Sequence, residues 1–343
     1  MKKLLNTVYV TTEGASLKKD GENLVAMIDG AEKARVPLHM LASVVAFGPI
    51  FVSPGLIEAC AGAGITIALL DRVGRFQARI EGPVSGNVLL RRAQYSRSDK
   101  PESFVRSFLT GKIANQRTVL QRALRDRDDM DFASRTAIDG VVERLGSILR
   151  RVALGKDDLD VLRGHEGEAA NLYFGVFDRL IASDDPSLRF RGRSRRPPLD
   201  AVNGLLSFLY TLLTHECRSA SETVGLDPAV GFLHRDRPGR PSLALDLMEE
   251  LRPVFADRLA LALINRTQIQ AADFELRDGG AVYLNERGRK TVLTAWQERK
   301  KTERRHDFLE EVAPFGLVPY LQALLLARHL RGDLDAYPPW IWK

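Results

Sequence analysis

The sequence predicts an α+β protein, with a small, mostly antiparallel β-rich N-terminal domain, residues 1–85, followed by a larger all-α C-terminal domain, residues 86–343. Short segments rich in Val, Ile and Thr, separated by Asp-Gly turn signals, fill the first part of the chain and predict strands. Beyond them, apolar residues recur with the 3.6-residue period of α-helices. A chain of 343 residues also fits two domains better than one small core.

Five strands and one helix are predicted in the N-terminal domain. In the segment SPGLIEACAGAG, Ser53 can cap a helix whose first residue is Pro54, and the glycines that follow can end it. Asp-Gly turns separate the first strands. The predicted strands are LNTVYVTT, ENLVAMI, SVVAFG, ITIALL and RFQARIEG.

The helical domain begins after two turn signals, Gly82-Pro83 and Ser85-Gly86. Glycines are widely spaced beyond this point and β-branched runs are few, which favours helices. One interruption, FELRDGGAVYLN, has the Asp-Gly-Gly turn of a small β-hairpin. Helices are predicted near residues 87–109, 112–128, 131–154, 166–182, 199–221, 243–265, 286–302 and 315–331.

Cysteine content and hydropathy limit the setting of the protein. Its two cysteines, Cys60 and Cys217, fall in different predicted domains, so neither a disulfide framework nor a thiolate metal cluster is predicted. Polar residues interrupt the N-terminal apolar run too early for a signal peptide, and no stretch approaches the roughly 18 apolar residues of a membrane span. We therefore expect a soluble, cytoplasmic protein without a membrane partner.

Arginine carries the positive charge of the chain. The sequence has 50 Lys and Arg against 44 acidic residues, a net charge of +6, which favours a phosphate-bearing partner. The planar guanidinium suits phosphate oxygens, and the clearest cluster is the segment LRFRGRSRRPPL. A flexible, solvated loop is the alternative for such a charge run. The residues predicted to bind nucleic acid are Arg189, Arg191, Arg193, Arg195 and Arg196.

A glutamate lies on the apolar face of the helix predicted at residues 166–182. Glu166 shares that face with Ala169 and Tyr173, whereas Glu168 points to the opposite side. A carboxylate that faces a core needs a cation or hydrogen-bond donors. The alternative is that Glu166 lies in the first helical turn and binds free backbone N–H groups there.

The segment GFLHRDRPGRPSLALDLMEELRP, residues 231–253, combines a basic turn with an amphipathic helix. The helix is predicted to bury its leucines and to expose an acidic face with Asp246, Glu249 and Glu250. Asp246 and Glu249 are three residues apart, so both can reach one point. With His234 and an inward carboxylate from elsewhere, they could bind Mg²⁺ or Mn²⁺, and the imidazole favours Mn²⁺. Taken alone, His234 is more typical of a surface or capping histidine.

Other catalytic motifs are missing from the sequence. It has no Gly-x-x-x-x-Gly-Lys phosphate loop, no Gly-x-Ser-x-Gly elbow and no His-Glu-x-x-His zinc helix. Cys217 is close to His215, but two residues apart on a helix they diverge, so a thiol nucleophile is disfavoured.

Three separated blocks carry a family resemblance: RGHEGEAANLYF, RRPPLDAVNGLLSFLYTLL and VGLDPAVGFLHRDRPGRPSLALDLMEELRP. In order and spacing they resemble the CRISPR spacer-acquisition integrases, the first-numbered family of CRISPR-associated (Cas) proteins. The resemblance spans nearly the whole chain. The segments NTVYVTTEGASLKKDGENLV and DLDAYPPWIWK are similar to subtype I-C.

The resemblance implies an N-terminal domain that dimerises and a helical catalytic domain that holds Mn²⁺ or Mg²⁺. Position by position, Glu166 matches the glutamate of the family's Glu-Gly motif, and His234 the histidine of its Gly-Phe-x-His motif. Glu249 falls at the third ligand position, where many members have aspartate, and Asp246 lies one turn earlier as an additional metal residue. Catalytic roles are implied for Glu166, His234 and Glu249. The accessory residues implied to line the site are Asn203 and Tyr210.

The implied activity is that of a DNA endonuclease and integrase. A divalent ion polarises a phosphodiester while a 3′-hydroxyl of captured DNA attacks it, which joins that DNA to the CRISPR repeat by transesterification. The implied partners are DNA, a second copy of the chain, the second-numbered Cas protein and, in this subtype, the fourth-numbered Cas nuclease. Two alternatives are a non-catalytic basic DNA-binding protein and a general metal-dependent nuclease that uses water as its nucleophile.

Overall fold

The computed structural model describes residues 6–10, 12–71, 76–82 and 88–342. The chain forms two compact units, Met1–Gly86 with Asn285–Leu293, and Asn87–Leu284 with Thr294–Lys343. A strand-rich N-terminal part is followed by a mainly helical part, as the sequence predicts. The predicted turn signals around residues 83–86 and the predicted helix start at 87 lie outside the described residues.

The first unit contains two four-stranded sheets and helix α1 (Pro54–Gly62). Ser53 caps α1 as predicted, because its Oγ accepts a hydrogen bond from the Leu56 backbone N–H at 3.3 Å. Leu56 belongs to one buried apolar cluster with residues of both sheets, among them Leu17 and Leu41. The described strands are β1 (Asn6–Val10), β2 (Ser16–Asp20), β3 (Asn23–Ile28), β4 (Ala31–Pro37), β5 (Leu41–Phe47), β6 (Phe51–Val52), β7 (Thr66–Leu70) and β8 (Phe76–Ile80).

Both sheets are mixed, with the orders β1-β5-β7-β8 and β4-β3-β2-β6. Strands β1, β5 and β7 run parallel to one another, as do β2 and β6. The other described pairs of these two sheets are antiparallel, so the sheets are mixed rather than mostly antiparallel as the sequence predicts. The parallel neighbours β5 and β7 require a crossover, which the segment containing α1 provides. Strands β2 and β4 escape prediction because they are mostly charged and exposed.

Nine helices and two hairpins follow along the described chain. The hairpin predicted in FELRDGGAVYLN is present as β9 (Phe274–Arg277) and β10 (Ala281–Leu284), and a second one pairs β11 (Glu303–His306) with β12 (Glu311–Pro314). The helices are α2 (Val88–Ser98), α3 (Glu102–Asp126), α4 (Phe132–Leu154), α5 (Leu159–Gly175), α6 (Ala201–Thr223), α7 (Ser242–Arg252), α8 (Arg258–Asn265), α9 (Glu286–Lys301) and α10 (Val318–Arg331).

Three helix boundaries near the candidate site differ from the prediction. The helices predicted at 87–109 and 112–128 divide at residues 99–101 instead, so that α3 is one continuous helix through Lys112. Helix α5 begins at Leu159 rather than at residue 166, because the Asp158 carboxylate accepts the backbone N–H of Val161 at 2.9 Å and caps the helix. The helix predicted over residues 243–265 is divided by a π-helical segment, Pro253–Asp257, into α7 and α8. Pro253 lacks the N–H that a regular helix would use there.

An aromatic cluster lies in the core of the second unit. The ring of Phe255 is 4.6 Å from Trp296 and 4.3 Å from Phe315, between ring centroids, and Phe315 is 5.3 Å from Trp340. Trp296 and Trp340 are at most 2% exposed. None of the helices given above is both long and apolar enough to cross a membrane.

Candidate metal centre

The carboxylates of α7 are buried, so the exposed acidic face predicted from the sequence is wrong. Asp246, Glu249 and Glu250 are each at most 2% exposed. Buried carboxylates need donors or cations, and each of these three meets its own set. Apart from Arg252, the donors and cations described below come from outside α7, which the periodicity of a single helix cannot indicate.

Asp246 organises the turn that carries His234. Its Oδ1 lies 2.6 Å from His234 Nδ1 and accepts the His234 backbone N–H at 3.0 Å. Its Oδ2 accepts the backbone N–H groups of Phe232 at 2.5 Å and Leu233 at 3.0 Å. Glycine is required at Gly231, where a Cβ would lie 2.9 Å from Asp246 Oδ2. Asp246 thereby fixes the imidazole and leaves its Nε2 to face the site.

Glu249 lies between two cations. Its Oε1 is 2.7 Å from Arg252 Nη2 and its Oε2 is 2.8 Å from Lys112 Nζ. His234 Nε2 is 3.9 Å from Oε1. Burial by itself would raise the pKa of Glu249, but the charges of Arg252 and Lys112, with a further contribution from His234, hold that pKa at about 2. Glu249 is therefore ionised at neutral pH.

Glu166 meets the same ammonium group. Its side chain, on α5, is 31% exposed, and its Oε1 forms an ion pair with Lys112 Nζ. Because α5 begins at Leu159, Glu166 lies in the middle of the helix and not in its first turn. The alternative role as a first-turn carboxylate therefore does not apply. Glu168 points elsewhere and pairs with Arg151 at 3.2 Å. The carboxylates of Glu166 and Glu249 thus meet at Lys112 Nζ, and His234 Nε2 lies 3.9 Å from Glu249.

The donor set fits a hard divalent ion, but a lysine lies within it. Among the described residues, no three His, Cys, Asp or Glu side chains are arranged to hold a metal ion as they stand. Lys112 Nζ lies between Glu166 and Glu249 and contacts both carboxylates. Two carboxylates and one imidazole suit Mg²⁺ or Mn²⁺. Glu249 Oε2 is also buried, and the Lys112 ammonium lies 2.8 Å from it.

Tyr210 supports the site through Arg252 rather than through Glu166, Glu249 or His234 directly. The Tyr210 hydroxyl donates to Asp257 Oδ1 at 2.6 Å. Over its ring lie the guanidinium groups of Arg252, 4.8 Å from the centroid, and Arg193, 5.1 Å from it. Burial raises the pKa of Asp257 to about 6, against the opposing effects of Tyr210 and Arg252. Since Arg252 binds Glu249, this polar cluster positions the site from behind.

Asn203 fastens the arginine-rich loop. Its Oδ1 accepts hydrogen bonds from Arg193 Nη1 at 2.7 Å and from the Ser194 backbone N–H at 3.0 Å, and its Nδ2 donates to the Gly192 carbonyl at 2.7 Å. Arg193 is therefore held inside the loop, and Arg189 is half-buried. The loop arginines that are exposed to solvent are Arg191, Arg195 and Arg196.

Three basic residues at the site are not singled out by the sequence patterns: Lys112, Arg163 and Arg252. Arg163 Nη2 donates to a backbone carbonyl of the turn before α7, at 3.1 Å. A usable signal exists for Lys112, which follows Phe104 and Phe108 at the four-residue spacing of one helix face, so a charge lies on an apolar stripe. Arg163 and Arg252 offer no comparable signal.

Behind the site, α3 and α7 bind the last described residues. Glu250 accepts the Trp340 backbone N–H at 2.8 Å and the hydroxyl of Tyr337. Asn115 donates to the Trp340 carbonyl at 3.0 Å and accepts the Trp342 backbone N–H at 2.7 Å. Burial raises the pKa of Glu250 to about 7, although these donors oppose the rise.

Comparison with known proteins identifies relatives along the whole chain. A family model described as CRISPR associated protein Cas1 matches residues 8–298. A protein of Rhodospirillum rubrum named CRISPR-associated endonuclease Cas1 2 is 71% identical over 344 residues, which cover 100% of each chain. A CRISPR-associated exonuclease Cas4/endonuclease Cas1 fusion of Geobacter sulfurreducens is 35% identical over 342 residues, or 98% of this chain and 60% of the fusion.

Two solved structures have a similar fold. A casposase bound to integration product has a TM-score of 0.83 at 20% identity, over 99% of this chain and 95% of that chain. A chain of a Cas6-RT-Cas1–Cas2 complex has a TM-score of 0.82 at 21% identity, over 100% of this chain and 36% of that chain. At such identities the likeness is one of fold alone. The family model and the full-length relative go further, and by them the chain belongs to the Cas1 family of CRISPR-associated proteins.

Proposed function

We propose that the chain is a divalent-metal-dependent DNA endonuclease and integrase of CRISPR adaptation. The observation that carries the proposal is the convergence of Glu166 and Glu249 on Lys112 Nζ, with His234 Nε2 3.9 Å from the Glu249 carboxylate. The activity is supported by the name of the Rhodospirillum rubrum relative, an endonuclease that is 71% identical. The fold similarity to a casposase bound to integration product adds support for joining as well as cutting.

In this proposal Glu166, Glu249 and His234 hold Mn²⁺ or Mg²⁺. His234 binds through Nε2, because its Nδ1 faces Asp246 at 2.6 Å. Asp246 orients the imidazole rather than binding the ion, since both of its oxygens already accept hydrogen bonds within the turn. When bound, the ion polarises the phosphodiester and stabilises the negative charge that develops on it.

The reaction takes no nucleophile from the protein. The 3′-hydroxyl of captured DNA attacks a phosphorus of the CRISPR repeat, a new P–O bond forms, and the 3′-oxygen of the cleaved strand leaves. The attacking hydroxyl gives up one proton and the leaving oxygen takes one up, so the exchange is balanced. Arg252 beside Glu249, and Arg235 exposed in the turn of His234, supply positive charge that favours a phosphate.

The finer assignments are part of the same proposal. The exposed loop arginines bind backbone phosphates of DNA, which gives largely sequence-tolerant binding. The N-terminal domain forms a homodimer, and the second-numbered Cas protein joins it, in line with the fold similarity to a chain of a Cas1–Cas2 complex. A relative fused to Cas4 supports the fourth-numbered Cas nuclease as a partner. Subtype I-C and a cytoplasmic location rest on the terminal sequences and the cysteine content.

Substitution of the three proposed ligands tests this function. Glu166→Gln, Glu249→Gln and His234→Ala should each lower Mn²⁺-dependent strand transfer by about 100-fold or more, because charge stabilisation is lost, while DNA binding changes little. The measurement is the joining of labelled DNA with free 3′ ends to a repeat-containing duplex. Glu168→Gln is the matched control, since Glu168 lies on the same helix but pairs with Arg151. A variant that joins strands at the wild-type rate removes its residue from the ligand set.

The products distinguish the proposal from its two alternatives. A general nuclease would cut the supplied DNA in Mn²⁺ but never produce strands longer than the substrates. A non-catalytic DNA-binding protein would bind the same DNA equally well with Glu166→Gln and would show no metal-dependent product at all. Joined strands in the wild type that disappear in the ligand variants support the integrase.

A further inference from the structure

Lys112 is the least expected group in the proposed metal centre. Its side chain is 3% exposed and its ammonium contacts both Glu166 and Glu249, the latter at 2.8 Å. A buried lysine is costly unless it is paired, and here it is paired with two carboxylates at once. Neither the ligand set nor the reaction described above assigns it a role.

The two carboxylates need this ammonium when no metal is present. Arg252 satisfies Glu249 through Oε1 only, at 2.7 Å, and the buried Oε2 faces Lys112. Without a cation between them, Glu166 and Glu249 would repel each other in a poorly solvated place.

A metal ion bound by both carboxylates needs the space in which Lys112 Nζ lies. An ammonium and a divalent cation cannot both lie within ligand distance of the same two carboxylates without strong repulsion. Glu166 and Glu249 can therefore bind either the Lys112 ammonium or a divalent ion from solution, but not both at once.

The backbone of Lys112 cannot withdraw to make room. A Cβ on the neighbouring Gly111 would lie 2.8 Å from Glu250 Cβ, so α3 packs directly on α7 at this level. Asn115, one turn further along α3, donates to the Glu250 carbonyl at 2.6 Å. Any movement of the ammonium must come from rotation of its flexible four-carbon stem.

We propose that Lys112 is a built-in placeholder cation, which holds Glu166 and Glu249 together in the metal-free protein and is displaced from between them when the divalent ion binds. The inference rests on the proposed ligand set, Glu166, Glu249 and His234. It has two consequences that need no DNA. Lys112 stabilises the metal-free fold, and it weakens metal binding because its ion pairs must be broken first.

Lys112→Met tests both consequences, because methionine keeps the apolar stem and removes the charge. In EDTA the variant should unfold at a lower temperature than the wild type. In saturating Mn²⁺ the deficit should shrink or reverse, since the ion now separates the carboxylates. By calorimetric titration the variant should bind Mn²⁺ at least about tenfold more tightly than the wild type.

Lys300→Met is the matched control. Lys300 is also a buried lysine, 8% exposed in its side chain, and it pairs with Glu216 at 2.7 Å. Its loss should lower the unfolding temperature by the same amount with and without Mn²⁺ and should leave the Mn²⁺ affinity unchanged. A metal-dependent effect confined to Lys112→Met therefore separates a placeholder from any buried ion pair.

The Mn²⁺ titrations distinguish failure of the placeholder role from failure of the ligand set. Equal or weaker Mn²⁺ binding by Lys112→Met overturns the placeholder while leaving the ligand set intact, whereas absence of Mn²⁺ and Mg²⁺ binding in the wild type overturns the ligand set itself. Lys112→Gln is a second neutral variant in case methionine is not tolerated. If both variants fold only when Mn²⁺ is present, the placeholder is supported. If both fail to fold even in saturating Mn²⁺, it is overturned, because the ion could not then replace the ammonium.

Discussion

Asp246 and Glu249 lie one turn apart on α7, yet their surroundings give them different tasks. Asp246 faces three backbone N–H groups and His234 Nδ1, whereas Glu249 faces the cations Arg252 and Lys112. The sequence placed both near a metal and could not separate them. The difference depends on the shape of the turn before α7, where Gly231 lets the backbone approach the carboxylate.

Asp246→Asn should weaken Mn²⁺ binding by about 10- to 100-fold without abolishing it, because it disturbs the orientation of His234 rather than removing a ligand. An amide also places an NH₂ group against one of the N–H groups that now donate to the Asp246 carboxylate. The measurement is Mn²⁺ titration of the protein alone. Asp139→Asn, the same change at an exposed carboxylate of α4, is the control and should have no effect. Unchanged affinity in Asp246→Asn would contradict the orienting role.

Single residues show how far patterns of one helix can predict a site. The apolar stripe on its helix correctly predicted that Glu166 faces inward. Its partner Lys112 was not predicted, although a charge on the apolar stripe of α3 is the same kind of signal. The acids of α7 were predicted to face water because they are polar. The burial of Glu250, for example, involves hydrogen bonds with Gln322, Tyr337 and Trp340, which no local pattern connects to α7.

The contact between α3 and α7 sets the spacing of the site at the level of whole helices. Gly111 allows the two helices to touch, since any larger residue would meet Glu250. Helices normally lie about 8–10 Å apart, and small residues allow the closest of these approaches. Lys112 and Glu249, each beside one of these contact residues, are thereby brought within ion-pair distance.

Gly111→Ala should destabilise the protein by roughly 1–3 kcal/mol, because the added methyl group overpacks the contact with α7. Alanine ordinarily stabilises a helix interior relative to glycine by about 0.5–1 kcal/mol. Gly140→Ala on α4, where a Cβ would meet nothing within 4 Å, should show that ordinary gain. Urea unfolding followed by circular dichroism measures both. Equal gains in the two variants would mean that α3 and α7 are not in close contact.

Helix boundaries were predictable only where the capping residues were unambiguous. Ser53 and Pro54 placed α1 correctly, and α4 follows its prediction closely. By contrast, α5 starts earlier than predicted, because Asp158 caps it, and this moved Glu166 from the first turn into the middle of the helix. The π-helical segment at Pro253 depends on tertiary packing and has no counterpart in a 3.6-residue pattern.

On the scale of the whole molecule, the positive charge is divided between structural and exposed arginines. Arg193 and Arg252 lie over Tyr210 and are held by hydrogen bonds or ion pairs. The net charge of the sequence does not distinguish these two arginines from the exposed ones. Only the exposed part of the arginine-rich loop can release counterions when DNA binds.

Combined Arg191→Gln, Arg195→Gln and Arg196→Gln should weaken DNA binding and flatten its salt dependence. If each arginine neutralises one phosphate, the slope of log affinity against log salt falls by up to about 3. The measurement is a salt series of binding isotherms with duplex DNA. The matched triple variant replaces three exposed arginines of α4 by glutamine: Arg144, Arg150 and Arg151. An unchanged slope in the loop variant, or an equal change in both, would remove the loop from the DNA interface.

The two-part organisation was predictable because strand and helix periodicities are different and change once along the chain. The strand directions were less so, since the parallel pair β1 and β5 is connected through β2–β4 and the parallel pair β5 and β7 through α1. Direction is set by connections and not by the residues within a strand. The same limit applies to the site, whose parts lie on α3, α5 and α7.

The three tryptophans of the chain, Trp296, Trp340 and Trp342, all belong to the second compact unit. The intrinsic fluorescence of the protein therefore originates from the unit that contains the metal centre, and the β-rich unit contributes no indole emission. Melting curves recorded at tryptophan wavelengths will follow the helical unit alone. An indole introduced into the sheets would be needed to observe the β-rich unit at these wavelengths.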